Sequence, residues 1–538
     1  MMCSIHKMSC VLAILTWACS GAPGAVFQYT VPVATAKNPS SAFLWIPPEA
    51  KQVRGVLMSG MTLAEREMSK DPQIRKACAE ARIAIVFLKC GLGGADIQKV
   101  LDDLAQVSGY GELSVAPLFF AGHSAGGPPA KALATKMAER CFGLMQYRGG
   151  IPGGAEPVPP GVPCLMMVGQ FDEFGGTMRS ETGRENPWEG GRDAIVAFRS
   201  QNEGNLASIV VEPGAGHFSW SDRNAAYLAL FLKKAAAARI GDWAADAKEP
   251  VKCKAIDPKG GWLTDLTIRT PGEFAPAPYE QYRGDKARAA WHLDEEMAKA
   301  TVSFHAGGFG KKDQFIKWSD PCWVDAGTRF FFTSIKWVGD GQTFEVHPVY
   351  ADAYPMKKKP DDPGPRWAEA GKPVGHSNAP ILVKQVSGPL VPTSPNTLRI
   401  QYDELAPATE AARPTFMAYS VGDDEFRYTE QVGMMPRGFS GLSGGKEQKI
   451  AFEPIGDLKA DGDPVEIKAT SDSGLKVEFH VGFGPALIED GKLRIAEIPA
   501  RAAFPIQVKV VAYQFGSGVA PQVKTAAPVE QTIQIQKP

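Results

Sequence analysis

Strong net charge, long apolar runs and metal-type cysteine spacing are all missing from this sequence. Its 58 basic and 59 acidic side chains leave a formal net charge of −1, which excludes a general nucleic-acid or anionic-membrane binder. Beyond the N-terminal leader, no segment is long and apolar enough to span a bilayer. The nine cysteines include no Cys-x-x-Cys pair, and His292, His305, His347 and His376 are scattered without ligand spacing, so neither a metal nor another cofactor is expected. Histidine itself is scarce, with eight in 538 residues, and between Val26 and Ala245 only His123 and His217 occur.

The N-terminus has the form of an export signal. His6 and Lys7 precede the apolar run Val11 to Trp17, and small residues from Ala18 to Ala25 follow. That run is too short to cross a membrane and reads as a signal peptide cleaved between Ser20 and Ala25. Thr16, Trp17 and Ala18 give Cys19 a poor lipoprotein context, so the expected product is a soluble secreted or periplasmic protein, compatible with retention at the cell surface. Six cysteines remain after cleavage, and six allow 15 full pairings. Cys253 with Cys322 is the pairing we single out.

From Val26 to Ala245, apolar strands alternate with helical segments. Phe27 to Val33, Ser41 to Ile46 and Gly55 to Met58 read as strands. A helix is expected from Asp71 to Arg82, a fully apolar strand from Ile83 to Leu88, and an amphipathic helix from Ile97 to Val107. The strand Ala116 to Ala121 then leads into Gly122-His123-Ser124-Ala125-Gly126. A helix follows to about Arg140, with Pro128 and Pro129 in its first turn, where absent amide hydrogens cost little. Leu144 to Tyr147 and Pro163 to Val168 are further strands, with helices at Arg192 to Ser200 and Asn224 to Ala237. Continuous apolar strands between amphipathic helices imply a parallel sheet covered on both faces.

A serine inside Gly-x-Ser-x-Gly, between a strand and a helix, is a nucleophile elbow: the glycines let the backbone turn sharply and expose the hydroxyl. The letters alone are weak, since Gly441-Leu442-Ser443-Gly444-Gly445 fits them and Gly375-His376-Ser377-Asn378-Ala379 nearly does. Neither of those follows a strand or opens a helix, so both are read as polar loops. A nucleophilic Ser124 needs a base within hydrogen-bond reach, usually a histidine. His123 sits inside the turn itself, with its side chain directed elsewhere. That leaves His217.

The order of elements around Ser124 resembles the α/β-hydrolase superfamily, of the serine esterase type, over about the first 245 residues. The resemblance implies a triad in the chain order nucleophile, acid, histidine. Pro163-Cys-Leu-Met-Met-Val-Gly-Gln-Phe-Asp172 matches the acid position, and Ser208-Ile-Val-Val-Glu-Pro-Gly-Ala-Gly-His217 the histidine loop. Glu173 is adjacent and chemically able, but the Gly169-x-x-Asp172 spacing favours Asp172. The resemblance further implies an oxyanion hole from the backbone amides of Ala125 and, in Met58-Ser-Gly-Met-Thr62, of Met61. Loops at this end of the sheet bind ligands in such folds, which makes Phe171, Arg179, Trp188 and Trp220 the candidate substrate contacts, with Arg184 in the same long loop.

Beyond Asp246 helical periodicity fades except around Asp285 to Ala300, and short aromatic-rich runs dominate. The expected division is a signal peptide over 1–25, a catalytic α/β-hydrolase domain over 26–245, a β-rich aromatic domain over 246–365, a β-rich irregular region over 366–456, and a β-sandwich over 457–538. Val465 to Ala469, Leu475 to Val481, Lys492 to Ile495 and Phe504 to Tyr513 alternate apolar with polar residues, with Asp490-Gly491 as a hairpin turn. This last segment looks like the Ig-like modules of bacterial exported proteins, which implies spacing or adhesion. The functional expectation is an exported serine hydrolase acting on an ester substrate, polymeric or surface-held, with a carbohydrate esterase of acetyl or feruloyl type in front. A polyester depolymerase, a lipase, a peptidase, or a non-enzymatic binding protein on the same scaffold are the alternatives.

Overall fold

The computed structural model describes residues 26–35, 39–172, 187–318, 323–324, 335–357, 371–388, 390–405, 415–434 and 442–538. The expected signal peptide over 1–25, Glu173, Arg179, Arg184 and the expected Cys253–Cys322 pairing, through Cys322, fall outside these residues. Cys78, Cys90, Cys141 and Cys164 are free thiols.

Eight strands form the first sheet: β1 (Tyr29–Val33), β2 (Ser40–Trp45), β3 (Gly55–Gly60), β4 (Ile83–Leu88), β5 (Leu118–His123), β6 (Cys141–Tyr147), β7 (Cys164–Gly169) and β8 (Ala207–Glu212). Their order is β1-β2-β4-β3-β5-β6-β7-β8. β1 and β2 are antiparallel additions at one edge, and β4 to β8 with β3 run parallel. Alternation along each strand divides the core in two. Val56, Met58, Ala84, Val86, Leu118 and Phe120 face one layer, with α3 (Ile97–Ser108), α4 (Gly127–Lys136) and α5 (Pro187–Gln201). Leu57, Ile83, Ile85, Phe87, Phe119 and Ala121 face the other, with α1 (Leu63–Lys70), α2 (Pro72–Ala81) and α6 (Asp222–Arg239). A mostly parallel sheet with helices on both faces is therefore present, as the strand pattern implies.

One helix was not expected. α1 carries Glu65, Arg66, Glu67 and Lys70, yet Glu65, Arg66 and Ser69 are buried. The strand ends also differ: β5 is read from the pattern as Ala116 to Ala121 and runs two residues further, to His123.

The β-rich half packs onto the α/β half along a broad contact. Leu382–Ser387, Thr415–Ser420 and Thr429–Met434 form a three-stranded antiparallel meander. Towards the C-terminus a four-stranded sheet (Leu458–Lys459, Val529–Gln536, Ile506–Tyr513, Glu478–Phe483) is accompanied by a three-stranded one (Val465–Glu466, Lys492–Ile495, Ala486–Glu489). Val481, Ile506 and Val508 share a continuous core with β1 and α3, while Val386 and Met417 share one with α1 and α6.

Candidate active site

Ser124 stands at the tip of the β5 to α4 turn with φ +52, a left-handed conformation that side chains other than glycine enter at a cost. The turn is crowded by backbone. A Cβ on Gly122 would lie 2.1 Å from the Gly126 carbonyl oxygen, and one on Gly149 would lie 2.3 Å from the Ser124 carbonyl oxygen. Both positions thus exclude a side chain. Gly149, just beyond β6, was not foreseen, although the Gly149-Gly150 pair after an apolar strand is itself a signal of close backbone approach.

Three side chains meet at this tip. His217 Nε2 lies 2.7 Å from Ser124 Oγ, and His217 Nδ1 lies 2.9 Å from both Asp172 oxygens. Asp172 follows β7 and His217 follows β8, so parallel neighbours deliver both groups to the same edge of the sheet as the elbow. Both are 3% exposed. A carboxylate facing Nδ1 holds the proton there and leaves Nε2 as the acceptor of the serine hydroxyl. The residue before the elbow is a separate case. His123 is fully buried, and burial first, then the neighbouring His217, push its pKa well below the usual 6.5. Its Nε2 is 3.0 Å from the His217 carbonyl oxygen, so the neutral ring steadies the histidine loop from beneath.

Met61, the first residue after β3, has φ +78 and is 42% exposed. Ala125 lies in the single-turn 3-10 segment Ser124–Gly126. Because β3 and β5 are adjacent and parallel, Met61 and Ala125 are at neighbouring strand ends. The two loops are tied together by Glu65, which lies outside the motifs around Ser124, Asp172 and His217. One carboxylate oxygen accepts the Thr62 amide (2.8 Å) and hydroxyl (2.6 Å), and the other accepts the His123 amide (2.8 Å). Burial pushes the Glu65 pKa up to about 7, while those three hydrogen bonds pull it back. A Cβ on Gly126 would fall 2.2 Å from Glu65 Oε1, so this carboxylate also fills the space beneath the elbow.

The candidate substrate contacts are distributed differently. Phe171 is 1% exposed and packs against Phe315 and Tyr354, with ring centroids 5.7 and 5.3 Å away. It is a core residue of the contact with the β-rich half, which covers it, and this corrects its assignment to the substrate. Trp220 is likewise buried, its Nε1 donating to Asp71 at 3.0 Å, so it closes the core and does not offer a stacking face. Trp188 is half-buried in α5 with the Arg192 guanidinium 5.4 Å above its ring. Arg179 is outside the described residues. The two further serine motifs are structural. Ser443 lies in a loop strapped to Thr525 through both Leu442 backbone groups, and Ser377 is buried against Gln314 and Tyr350. Among the described residues no group of three or more His, Cys, Asp or Glu could hold a metal, and no helix is long and apolar enough to cross a membrane.

No protein-family model and no curated protein matches the chain. Solved structures do. A cold-adapted esterase from an Arctic intertidal metagenomic library matches with 16% identity and a TM-score of 0.27, over 38% of this chain and 91% of that one. The esterase domain of a Rhodothermus marinus protein matches with 18% identity and a TM-score of 0.25, over 38% of this chain and 96% of that one. Est1E from Butyrivibrio proteoclasticus matches with 15% identity and a TM-score of 0.25, over 38% and 96% respectively.

Proposed function

We propose that this chain is an exported serine hydrolase of the α/β-hydrolase superfamily that cleaves a carboxylic ester. The observation that carries the reading is the unbroken line of hydrogen bonds from Ser124 Oγ to His217 Nε2 (2.7 Å) and from His217 Nδ1 to Asp172 (2.9 Å). Ser124 attacks the acyl carbonyl as His217 takes its proton, and the negative charge that develops on the carbonyl oxygen is met by the amides of Ala125 and Met61. His217 then returns the proton to the leaving alcohol. Water, deprotonated by the same imidazole, releases the acid and restores Ser124. Asp172 holds the tautomer throughout and stabilises the imidazolium.

The leader and the β-rich half, whose end we read as an Ig-like module, favour a polymeric or surface-held ester. Within that class we place a carbohydrate esterase of acetyl or feruloyl type first. Hydrolysis of 4-nitrophenyl acetate by the wild type and Ser124→Ala tests the reaction. The expected result is activity that disappears in the variant, with a fluorophosphonate labelling Ser124 stoichiometrically in the wild type alone. Equal background rates and no label would sink the reading. Release of acetate from acetylated xylan, ferulate from feruloylated arabinoxylan, or acid from polyester film then separates the subclasses.

A further inference from the structure

We infer that the β-rich half completes the catalytic site: the segment Arg427 to Glu430 holds the acid and histidine loops in register, and Glu430 is a positioning residue that acts on His217 through Arg148. The inference rests on the reading of Ser124, Asp172 and His217 as the reacting groups.

Arg148 follows β6 with φ +49 and is 2% exposed. One end of its guanidinium donates to the Gly216 carbonyl oxygen and the Ser219 hydroxyl, on either side of His217. The other end donates to Glu212, the last residue of β8, at 2.8 Å. Glu212 in turn accepts from the Ser221 hydroxyl and the Asn224 amide. Arg148 therefore grips the backbone and side chains that flank the histidine, and whatever orients Arg148 orients that loop.

Glu430 is the group from outside the α/β half that meets it. Its Oε1 is 3.8 Å from Arg148 Nη2, with both side chains fully buried, and its Oε2 accepts from Tyr428 at 2.6 Å. Glu212, Arg148, Ser219 and Tyr428 face it, and the Arg223 guanidinium lies 5.3 Å above the Tyr428 ring. Thr429 and Arg427, just before Glu430, meet the same loops. A Cβ on Gly214, three residues before His217, would fall 2.6 Å from Thr429 Oγ1. Arg427 donates to Gln170 Oε1 at 2.8 Å, and that oxygen also accepts the Gly214 amide at 2.9 Å. Gln170 is two residues before Asp172, so one amide joins the acid loop, the histidine loop and the β-rich half. Val432, on the same face of its strand as Glu430, packs with Leu63 and with Phe218, the neighbour of His217. Burying a second carboxylate beside an existing Arg148–Glu212 pair is a poor way to gain stability. It is intelligible as a way to fix the Arg148 fork, and with it the imidazole, where a displacement of about 1 Å costs on the order of a hundredfold in rate.

The test uses the full-length chain with Glu430→Met, which keeps the volume and removes the charge, and Arg427→Met as an independent second variant. We expect kcat for 4-nitrophenyl acetate to fall on the order of 10- to 100-fold with KM within about twofold, and Glu430→Gln, which keeps an acceptor for Tyr428, to recover most of it. Hydrogen exchange followed by mass spectrometry should rise in residues 212–221 in both Met variants while β4 keeps its protection. Unchanged exchange over 212–221, or an equal rise throughout the chain, overturns the inference whatever the rates. An inactive wild type refutes the hydrolase reading and leaves exchange to decide whether the segment holds the loop.

Discussion

Glu65 offers the sharpest quantitative test of how the elbow and the Met61 loop are held. Glu65→Ala removes the acceptor for three hydrogen bonds, from the Thr62 amide, the Thr62 hydroxyl and the His123 amide. Each hydrogen bond contributes roughly 1 kcal/mol net, and a buried amide left unpaired costs about 1–3 kcal/mol in place of that contribution. A loss of about 3–5 kcal/mol is therefore expected, read as a lower urea midpoint in tryptophan fluorescence of the whole chain. Glu65→Gln supplies a pH signature as well. The folded pKa is raised from 4.5 to about 7, so the native state holds the proton more tightly than the unfolded chain. Stability from this source is complete below pH 4.5 and is lost as pH rises to about 7. The side chain is 1% exposed, so solvent screening takes little from the effect. Relative to the non-titrating Gln variant, the wild type should lose about 3 kcal/mol between these limits. Glu430, whose pKa burial likewise pushes up to about 7, titrates alike in both proteins and cancels. An Ala variant within about 0.5 kcal/mol of wild type, the range of an inconsequential surface change, would refute the structural role. A pH-independent difference between wild type and Gln would refute the electrostatic one.

Asp172→Asn should leave the chain folded but lower kcat by roughly 10³- to 10⁴-fold, as the same change does in serine proteases, because the amide favours the wrong imidazole tautomer; stopped-flow ester hydrolysis measures it. Gly122→Ala places a Cβ 2.1 Å from the Gly126 carbonyl oxygen, and fluorophosphonate labelling of Ser124 should be lost together with a fall in melting temperature. Phe171→Ala should destabilise by about 3–5 kcal/mol through the cavity it leaves, and KM for the chromogenic ester should be unchanged in the fraction that remains folded.

The α/β layer was legible because its strands are buried on both faces and so read as unbroken apolar runs: Ile83 to Leu88 has the same limits in sequence and structure. Ser124, Asp172 and His217 could be singled out because each follows such a run and because histidine is scarce between Val26 and Ala245. Their mutual distances could not. α1 is not legible from periodicity because its charged side chains are turned inward: Glu65 points into the elbow and Arg66 faces Asp403 of the β-rich half at 3.7 Å. Phe171 misled for a related reason. Its position beside Asp172 puts it at the same sheet edge as the elbow, but its ring is covered by Phe315 and Tyr354 from distant sequence. Arg148 and Glu430 carry no local signature at all, since what gives them meaning is a contact between halves of the chain.

The charges at that contact have a pattern with its own consequence. Near the Asp172 and His217 loops, Arg66, Lys89 and Arg148 of the α/β half meet Asp403, the Glu404 carbonyl and Glu430 of the β-rich half, while Arg427 of the β-rich half reaches Gln170 and Glu212 faces Glu430. Further round, the signs reverse: Glu112, 1% exposed, receives Arg501 at 2.8 Å from the C-terminal region. Ion pairs of this kind contribute little net stability once desolvation is counted, and apolar packing between the halves already supplies cohesion. What a reversal of sign between two patches does supply is a penalty for every docking in which like charges meet. Such a penalty favours the register in which Thr429 closes on Gly214 and Glu430 reaches Arg148. A module whose task was only spacing or adhesion would need no such restriction, and a module that sets the histidine loop would.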